Sequence, residues 1–462
     1  MHAGPQHRIA DDVRLAIAYD DATPHGSALS GLCDRVIHST CRDACASATD
    51  DRLPDMPGRS RAALARCFAP TALGSLYEAP GRLRESCLYP DARKVRAARL
   101  IVAVEGATPT SRVVAIEPGM ACDLAAWLSQ FRALGAAPRS AAARRIWDVL
   151  AECGALTDRA AAPPIAGDGL VFVGHATMWL RARGVSIVVD PFLLHAGRGT
   201  SPAYRPRHPG ELAPDVILVT HSHPDHFDPG TLLGFARDVR ILVPAVARES
   251  LLAIDMASRL RELGFTRVVE VAWGDEIRIG AVVIRACPFL GEQPSDRGSL
   301  HPEVRNQGCT YHVDTGDVNV LFLADAGTDA LGSTAAMADE LRASGRRTDV
   351  VCGGYRAWRL YPTEYVASSV PRYLLFVPPE QWDARLEIMN DADDLLDVAR
   401  RLGARWAVPY ANGGAPWYWE RGLGPDGRPG ADSAAPRFDP DLAVLRAAAS
   451  RAPQTPTFAA LH

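Results

Sequence analysis

The sequence predicts an α/β protein in two main parts, and three observations carry that reading. Up to residue 165, strand-like runs alternate with helical patterns. After a break rich in Ala and Pro, many short apolar runs of strand length follow, with helical patterns between them. One of these runs, Val216-Ile217-Leu218-Val219, leads directly into Thr220-His221-Ser222-His223-Pro224-Asp225-His226. A buried strand ending this way delivers three imidazoles and a carboxylate to one sheet edge. Such donors suit a divalent transition metal, and four of them are enough to begin two metal sites.

The elements follow in order. Residues 13–19 and 100–104 read as strands, and 60–69 and 121–134 as helices. The clearest helix is 140–156, where Ile146, Val149, Leu150, Cys153 and Leu156 share one apolar face. No catalytic motif stands out in 1–165. It reads as an α/β accessory domain that holds a substrate or carrier, builds a homodimer interface, or caps the fold. Small residues and paired prolines at 160–167 make a linker. Strands are expected at 170–173, 177–181, 185–189, 216–220, 241–244, 268–271, 281–286, 310–313 and 318–324. Helices are expected at 229–237, 249–263 and 334–344. The catalytic domain spans 166–425, and 426–462 reads as a loose tail with one short helix near 439–449.

Composition narrows the function. A chain of 462 residues, 47% hydrophobic, can bury a sizeable core. A net charge of −4 and the lack of a basic block argue against a nucleic-acid partner. Lys94 is the only lysine, and the Arg, Ala, Gly and Pro load reads as coding bias rather than as a binding surface. No leader pattern and no membrane-spanning apolar run is visible, so a cytoplasmic protein is expected. Among the ten cysteines only Cys41 and Cys45, with His38 nearby, have a metal-like spacing; ordinary cytosolic thiols are the expected reading.

The HxHxDH pattern resembles the metallo-β-lactamase superfamily. That resemblance implies an αββα sandwich in which His221 and His223 serve one metal and Asp225 and His226 a second. It also implies that Asp325, which follows the apolar run 320–324 and precedes Ala326-Gly327, bridges the two. Two departures follow. Zinc hydrolases of this superfamily supply another His after the core motif, where this chain has Gly291-Glu292. They supply a last His near the end of the fold, where this chain runs Trp406-Ala407-Val408-Pro409-Tyr410-Ala411-Asn412. Site two is therefore one imidazole short, and water, substrate, Tyr410 or Asn412 are the alternatives for its place.

Glu292 with His221 and His223 makes a two-His-one-carboxylate set, typical of non-haem iron sites that activate oxygen. Zinc, without redox chemistry, gains nothing from that change. The pattern resembles the dinuclear-iron oxygenases on this fold, of the chloramphenicol-biosynthesis β-hydroxylase type, over about 260 residues. What the resemblance implies is two Fe ions, O₂ as co-substrate, an electron donor, and a small-molecule or carrier-tethered substrate. The alternative is a hydrolase of a lactone, amide or phosphodiester, with two Zn or Mn ions.

Other residues complete the reading. Gly174-His175-Ala176-Thr177 resembles the GHAT segment of a lactonase and phospholipase branch. His175 is expected to line the cleft as a hydrogen-bonding or proton-transfer group, or to be a turn residue. Asp190 is expected to orient a metal-binding His. His195, His208 and His301 read as loop residues, and His312 as a strand residue. Arg356 is a candidate for an anionic substrate group, and Trp417-Tyr418-Trp419 for a pocket wall.

Overall fold

The computed structural model describes residues 6–21, 77–104, 109–193, 207–355, 359–411, 447–450 and 457–458, with a few short breaks inside those spans. The expected helix at 60–69, the group Cys41, Cys45 and His38, and His195, Arg356, Asn412 and Trp417–419 lie outside the described residues.

The N-terminal part is built on an antiparallel sheet, in which β1 (Val13–Asp21) pairs with β2 (Val95–Val104) and β2 with β3 (Thr110–Ala115). Helices α1 (Leu124–Ser129) and α2 (Ala141–Glu152) follow. Helix α1 is shorter than expected, because 121–123 form a 3-10 turn and the chain leaves the helix at Gln130. Ser140 caps α2 by accepting the Ala143 N–H, and Ala143, Ile146, Trp147 and Leu150 form its buried face. The helix ends before Leu156 because Gly154 reverses the chain at φ +70°. Leu156 instead joins a two-residue strand that pairs with Arg8–Ile9.

The remainder is a four-layered αββα sandwich. The first sheet holds β4 (Gly169–Gly174), β5 (Thr177–Ala182), β6 (Val185–Val189), β7 (Val216–Leu218), β8 (Arg240–Pro244) and β9 (Val268–Val271) in spatial order β9-β8-β7-β6-β5-β4. The second holds β10 (Glu276–Ile279), β11 (Val282–Pro288), β12 (Cys309–Asp314), β13 (Asn319–Phe322), β14 (Val350–Gly353), β15 (Trp406–Pro409) and β16 (Thr457–Phe458) in that order. Alternation of side chains decides the layers. Val216 and Leu218 face inward with Ile284, Val313 and Phe322, whereas Ile217 and Val219 face outward with Met256 and Leu260 of α3 (Met256–Glu262). On the other side, Leu321, Val351 and Ala407 pack against α4 (Thr334–Ala343) and α5 (Ala392–Leu402).

Several boundaries differ from expectation for local reasons. Helix α3 starts late because Asp255 caps it, accepting the Ser258 N–H, while Glu249 accepts the Asp255 N–H in the loop before. The helix expected at 229–237 is a single turn, Pro229–Leu232. The expected loose tail is corrected at its end: β16 pairs in parallel with β15, and Ala448, in a helical stretch at 447–450, is buried against the α4–α5 layer.

The N-terminal sheet and helices share one core with the outer face of the first sheet, so Leu100, Val102, Leu124 and Ile146 are buried with Trp179, Ile217 and Ile241. Contact is close enough to require glycine. A Cβ on Gly230 would lie 1.8 Å from the Leu15 carbonyl oxygen, and one on Gly264 2.2 Å from that of Cys122. Gly230→Ala must therefore push β1 off the sandwich. We expect it to lower stability by about 1–3 kcal/mol in urea denaturation. An unchanged urea midpoint would show that the N-terminal part is not seated this way.

Candidate metal centre

Strand β7 stops short of the expected 220 because Thr220 turns to Asp190, donating its N–H to Oδ1 at 2.7 Å and its hydroxyl to Oδ2 at 2.6 Å. The loop then folds on itself, the His223 carbonyl accepting the N–H groups of His226 and Phe227. His221, His223, Asp225 and His226 are all buried as a result.

The first donor group is compact. His221 Nε2 lies 3.0 Å from Glu292 Oε2, and His223 Nδ1 lies 2.9 Å from Glu292 Oε1. The two imidazole nitrogens are 3.0 Å apart. Glu292 reaches this place from a tight turn. Gly291 has φ +77°, and a Cβ there would meet the Ile388 carbonyl oxygen at 2.5 Å. Buried Asp329 accepts the Gly291 N–H at 2.9 Å and pairs with Arg305 at 2.6 Å. Burial alone would raise the Glu292 carboxyl, but the imidazoles of His223 and His221 outweigh it and pull it down to about 2.

The second group surrounds His226. Its Nε2 lies 3.3 Å from Asp325 Oδ2 and 3.8 Å from Asp225 Oδ2. His175 Nε2 lies 2.9 Å from Asp225 Oδ2. Burial favours a neutral His226 ring, but Asp325, Asp190 and Asp225 together hold its proton well above the ordinary imidazole range. A cation binding here replaces that proton.

Hydrogen bonds fix which nitrogen of each ring faces the centre. His226 Nδ1 donates to Asp190 Oδ2 at 2.8 Å. His221 Nδ1 donates to the Thr220 hydroxyl oxygen at 3.0 Å. His223 Nε2 donates at 3.0 Å to the Tyr373 hydroxyl, which donates in turn to the Glu292 carbonyl at 2.8 Å. Nε2 of His221, Nδ1 of His223 and Nε2 of His226 are thereby the ring atoms that face the carboxylates, and at His226 a metal ion would displace the proton held there. Two of the atoms there, His226 Nε2 and Asp325 Oδ1, are buried with no hydrogen-bond partner. Unpartnered buried donor atoms are costly in a protein alone and are what a metal ion satisfies. Charge agrees: Asp190, Asp225, Glu292 and Asp325 are four buried carboxylates, formally −4, which two divalent ions balance. The residues fit a pair of metal ions.

The backbone is strained at the same place. His175, Asp190, Glu292 and Ala324, which precedes Asp325, all have φ between 45° and 49°. That region costs a non-glycine residue on the order of 1–2 kcal/mol, and such outliers gather where geometry serves function.

Other expected residues lie elsewhere. The Tyr410 hydroxyl accepts the Ala324 N–H at 2.9 Å, and burial keeps its phenol well above the ordinary range, so it supports the turn before Asp325. His208 caps a helical turn, His301 accepts the Leu83 N–H, and His312 packs beside Arg347 and Thr348. Sequence reasoning missed Tyr373, Asn306, whose amide lies 3.3 Å from Glu292 Oε2, and Phe289, stacked on His221. Tyr373 sits 150 positions from His223, and no local pattern marks it.

Residues 169–353 match the model of the family described as "Beta-lactamase superfamily domain", so this stretch carries that domain. The chain is similar to the 4-amino-L-phenylalanyl-[CmlP-peptidyl-carrier-protein] 3-hydroxylase of Streptomyces venezuelae, 36% identical over 163 residues, which are 34% of this chain and 29% of that one. It is also similar to a UPF0173 metal-dependent hydrolase of an Exiguobacterium species, 29% identical over 97 residues, 21% of this chain and 37% of that one. In both cases the match spans less than half of the relative's length. Among solved structures, CmlA, a diiron β-hydroxylase from Streptomyces venezuelae, matches with a TM-score of 0.58 at 20% identity. That match covers 90% of this chain and 92% of CmlA, so the likeness of fold reaches beyond the sandwich into the N-terminal part.

The hydrogen bonds behind the rings make a prediction. Asp190→Asn and Tyr373→Phe each remove one orienting partner while keeping the shape, and each should weaken zinc binding roughly 10–100-fold in a competition titration. Wild-type affinity in both variants would mean that the rings are held by packing alone.

Proposed function

We propose that the chain is a dinuclear-iron oxygenase that hydroxylates a C–H bond of a biosynthetic substrate, with a carrier-tethered amino acid as the favoured class. The observation that carries this is Glu292, which completes a two-His-one-carboxylate set with His221 and His223. In this reading Asp225 and His226 hold the second iron, and Asp325 bridges. The similarity to a carrier-protein hydroxylase supports the substrate class. Iron ions held here supply the O₂ activation, after reduction by a separate electron donor.

The protein's part is positional. Asp190 keeps a proton on His226 Nδ1, and Thr220 accepts the one on His221 Nδ1. Each ring is therefore oriented with its other nitrogen toward the centre before an ion arrives. Tyr373 ties His223 to the Glu292 backbone, so these two of the three donors of site one are held together. Carboxylates are hard anionic donors and stabilise ferric iron; a set with this many of them favours a redox cycle over the fixed charge of zinc.

A hydrolase with two zinc or manganese ions is the second reading, favoured by the metal-dependent hydrolase among the relatives. There the ions would acidify a water. Elemental analysis and Mössbauer spectroscopy of protein from iron-replete cells separate the two. About two irons per chain with a coupled spectrum is the expected result, and two zincs without iron would favour the hydrolase. Glu292→His should raise the zinc-to-iron ratio and abolish hydroxylation; retained hydroxylation would refute the iron reading. Asp325→Ala should leave close to one ion per chain, and an undiminished pair would mean the bridge lies elsewhere.

A further inference from the structure

Among the described residues, site two has Asp225 and His226 besides the bridging Asp325, and of the four completions read from the sequence (water, substrate, Tyr410 and Asn412) the Tyr410 hydroxyl is engaged elsewhere. The Tyr410 hydroxyl accepts the Ala324 N–H at 2.9 Å and supports the turn before Asp325. After His312 the chain has no histidine until its last residue. A further buried imidazole, His175, stands beside Asp225 and His226 at the tip of the β4–β5 hairpin.

We propose that His175 is the missing ligand of site two, binding through Nε2 beside Asp225 and His226. This gives His175 a metal-binding role in place of proton transfer, and it rests on the two-metal part of the reading above.

Distances carry the argument. Two donors about 2.1 Å from one ion and at right angles to each other lie about 3.0 Å apart. At site one the two ring nitrogens are 3.0 Å apart, and each lies 2.9–3.0 Å from a different oxygen of Glu292. At site two, His175 Nε2 and Asp225 Oδ2 are 2.9 Å apart, the same edge. Nε2 of His175, the Asp225 carboxylate and His226 all lie within 4.8 Å of one another, close enough to share an ion.

The local structure aims the ring. The His175 side chain is fully buried, and its ring packs edge-on against Phe192 at 5.7 Å. Its φ of 47° is a left-handed conformation that a histidine adopts at a cost. The His175 carbonyl is held by the Ala411 N–H at 2.9 Å. The hairpin tip is thereby tied to the segment that follows β15.

The competing role is a hydrogen bond from His175 to Asp225 with no bond to metal. Affinity alone separates the two poorly, because losing an outer hydrogen bond already costs roughly 10–100-fold. The test therefore counts coordinated imidazoles. Full-length protein is stripped of metal and titrated with Co(II), read by optical absorption and by proton NMR of the hyperfine-shifted, exchangeable imidazole N–H signals.

Wild type should bind two ions and show four such signals, from His175, His221, His223 and His226. His175→Ala should lose one signal and weaken the second ion by more than about 100-fold, beyond the cost of an outer hydrogen bond. His175→Gln, whose amide can still donate to Asp225, should not restore either. Three signals in the wild type, or a Gln variant with the wild-type second-ion affinity, would overturn the assignment. Binding of fewer than two ions by the wild type would remove the dinuclear reading itself. The wild-type count decides the question even if a variant fails to fold.

Discussion

The centre depends on one buried carboxylate. Asp190 accepts the Thr220 N–H, the Thr220 hydroxyl and His226 Nδ1. Through the Thr220 oxygen it also fixes the His221 ring. An ionised carboxylate fully out of water is unfavourable unless its lone pairs are occupied, and here three donors occupy them. The arrangement is reciprocal. The strand end at Thr220 cannot return to the sheet without abandoning Asp190, and Asp190 keeps its left-handed φ of 45° only while the strand end meets it. One side chain thus sets where β7 stops, which way two imidazoles face, and which of their nitrogens carry protons.

The rest of the centre is held by close backbone approach. The Gly291-Glu292 turn sits against the Ile388 carbonyl and against Gly327, whose own Cβ would meet Met389 Cα at 2.6 Å. Ile388 and Met389 belong to a cluster that includes Tyr373 and Phe376 and that buries Leu83, Cys87 and Leu88 of the N-terminal part. The N-terminal part therefore touches the centre's support from two sides: through this cluster behind Glu292 and Tyr373, and through the outer face of the first sheet. Its described residues act on the donor set by packing.

What was legible in the sequence is what lies in short runs. The cluster after Val219, the Gly-Glu pair at 291–292 and the Asp after 320–324 each combine an apolar strand with a polar end, and the fold brings all three together. The same logic marks Asp190. Tyr373 is invisible because its signal is a contact across 150 positions, and nothing near it in sequence differs from a packing tyrosine. Helix α5 carried local marks, the Asp391–Asp394 capping box and Gly403 at its end, but its acidic first turn obscured the apolar stripe of Leu395, Leu396, Val398 and Ala399. Glu276–Ile279 went unread because an edge strand with Glu276 and Arg278 on its outer face has little apolar content.

The exchange of histidine for glutamate at site one matters for charge as well as for geometry. With a histidine there, the buried carboxylates would be Asp190, Asp225 and Asp325, formally −3 against two divalent cations, and hydroxide would be needed to close the balance. With Glu292 they reach −4 and balance a divalent pair from the protein alone. Oxidising both ions to the trivalent state then adds two positive charges, which anionic ligands can meet inside a buried site. A donor set already neutral in the reduced state, with its rings oriented by Asp190, Thr220 and Tyr373, suits ions that change charge more than ions that only hold a hydroxide. The fold is common to both chemistries. In the iron reading proposed above, the charge of one side chain, delivered by the turn at Gly291, is what separates them.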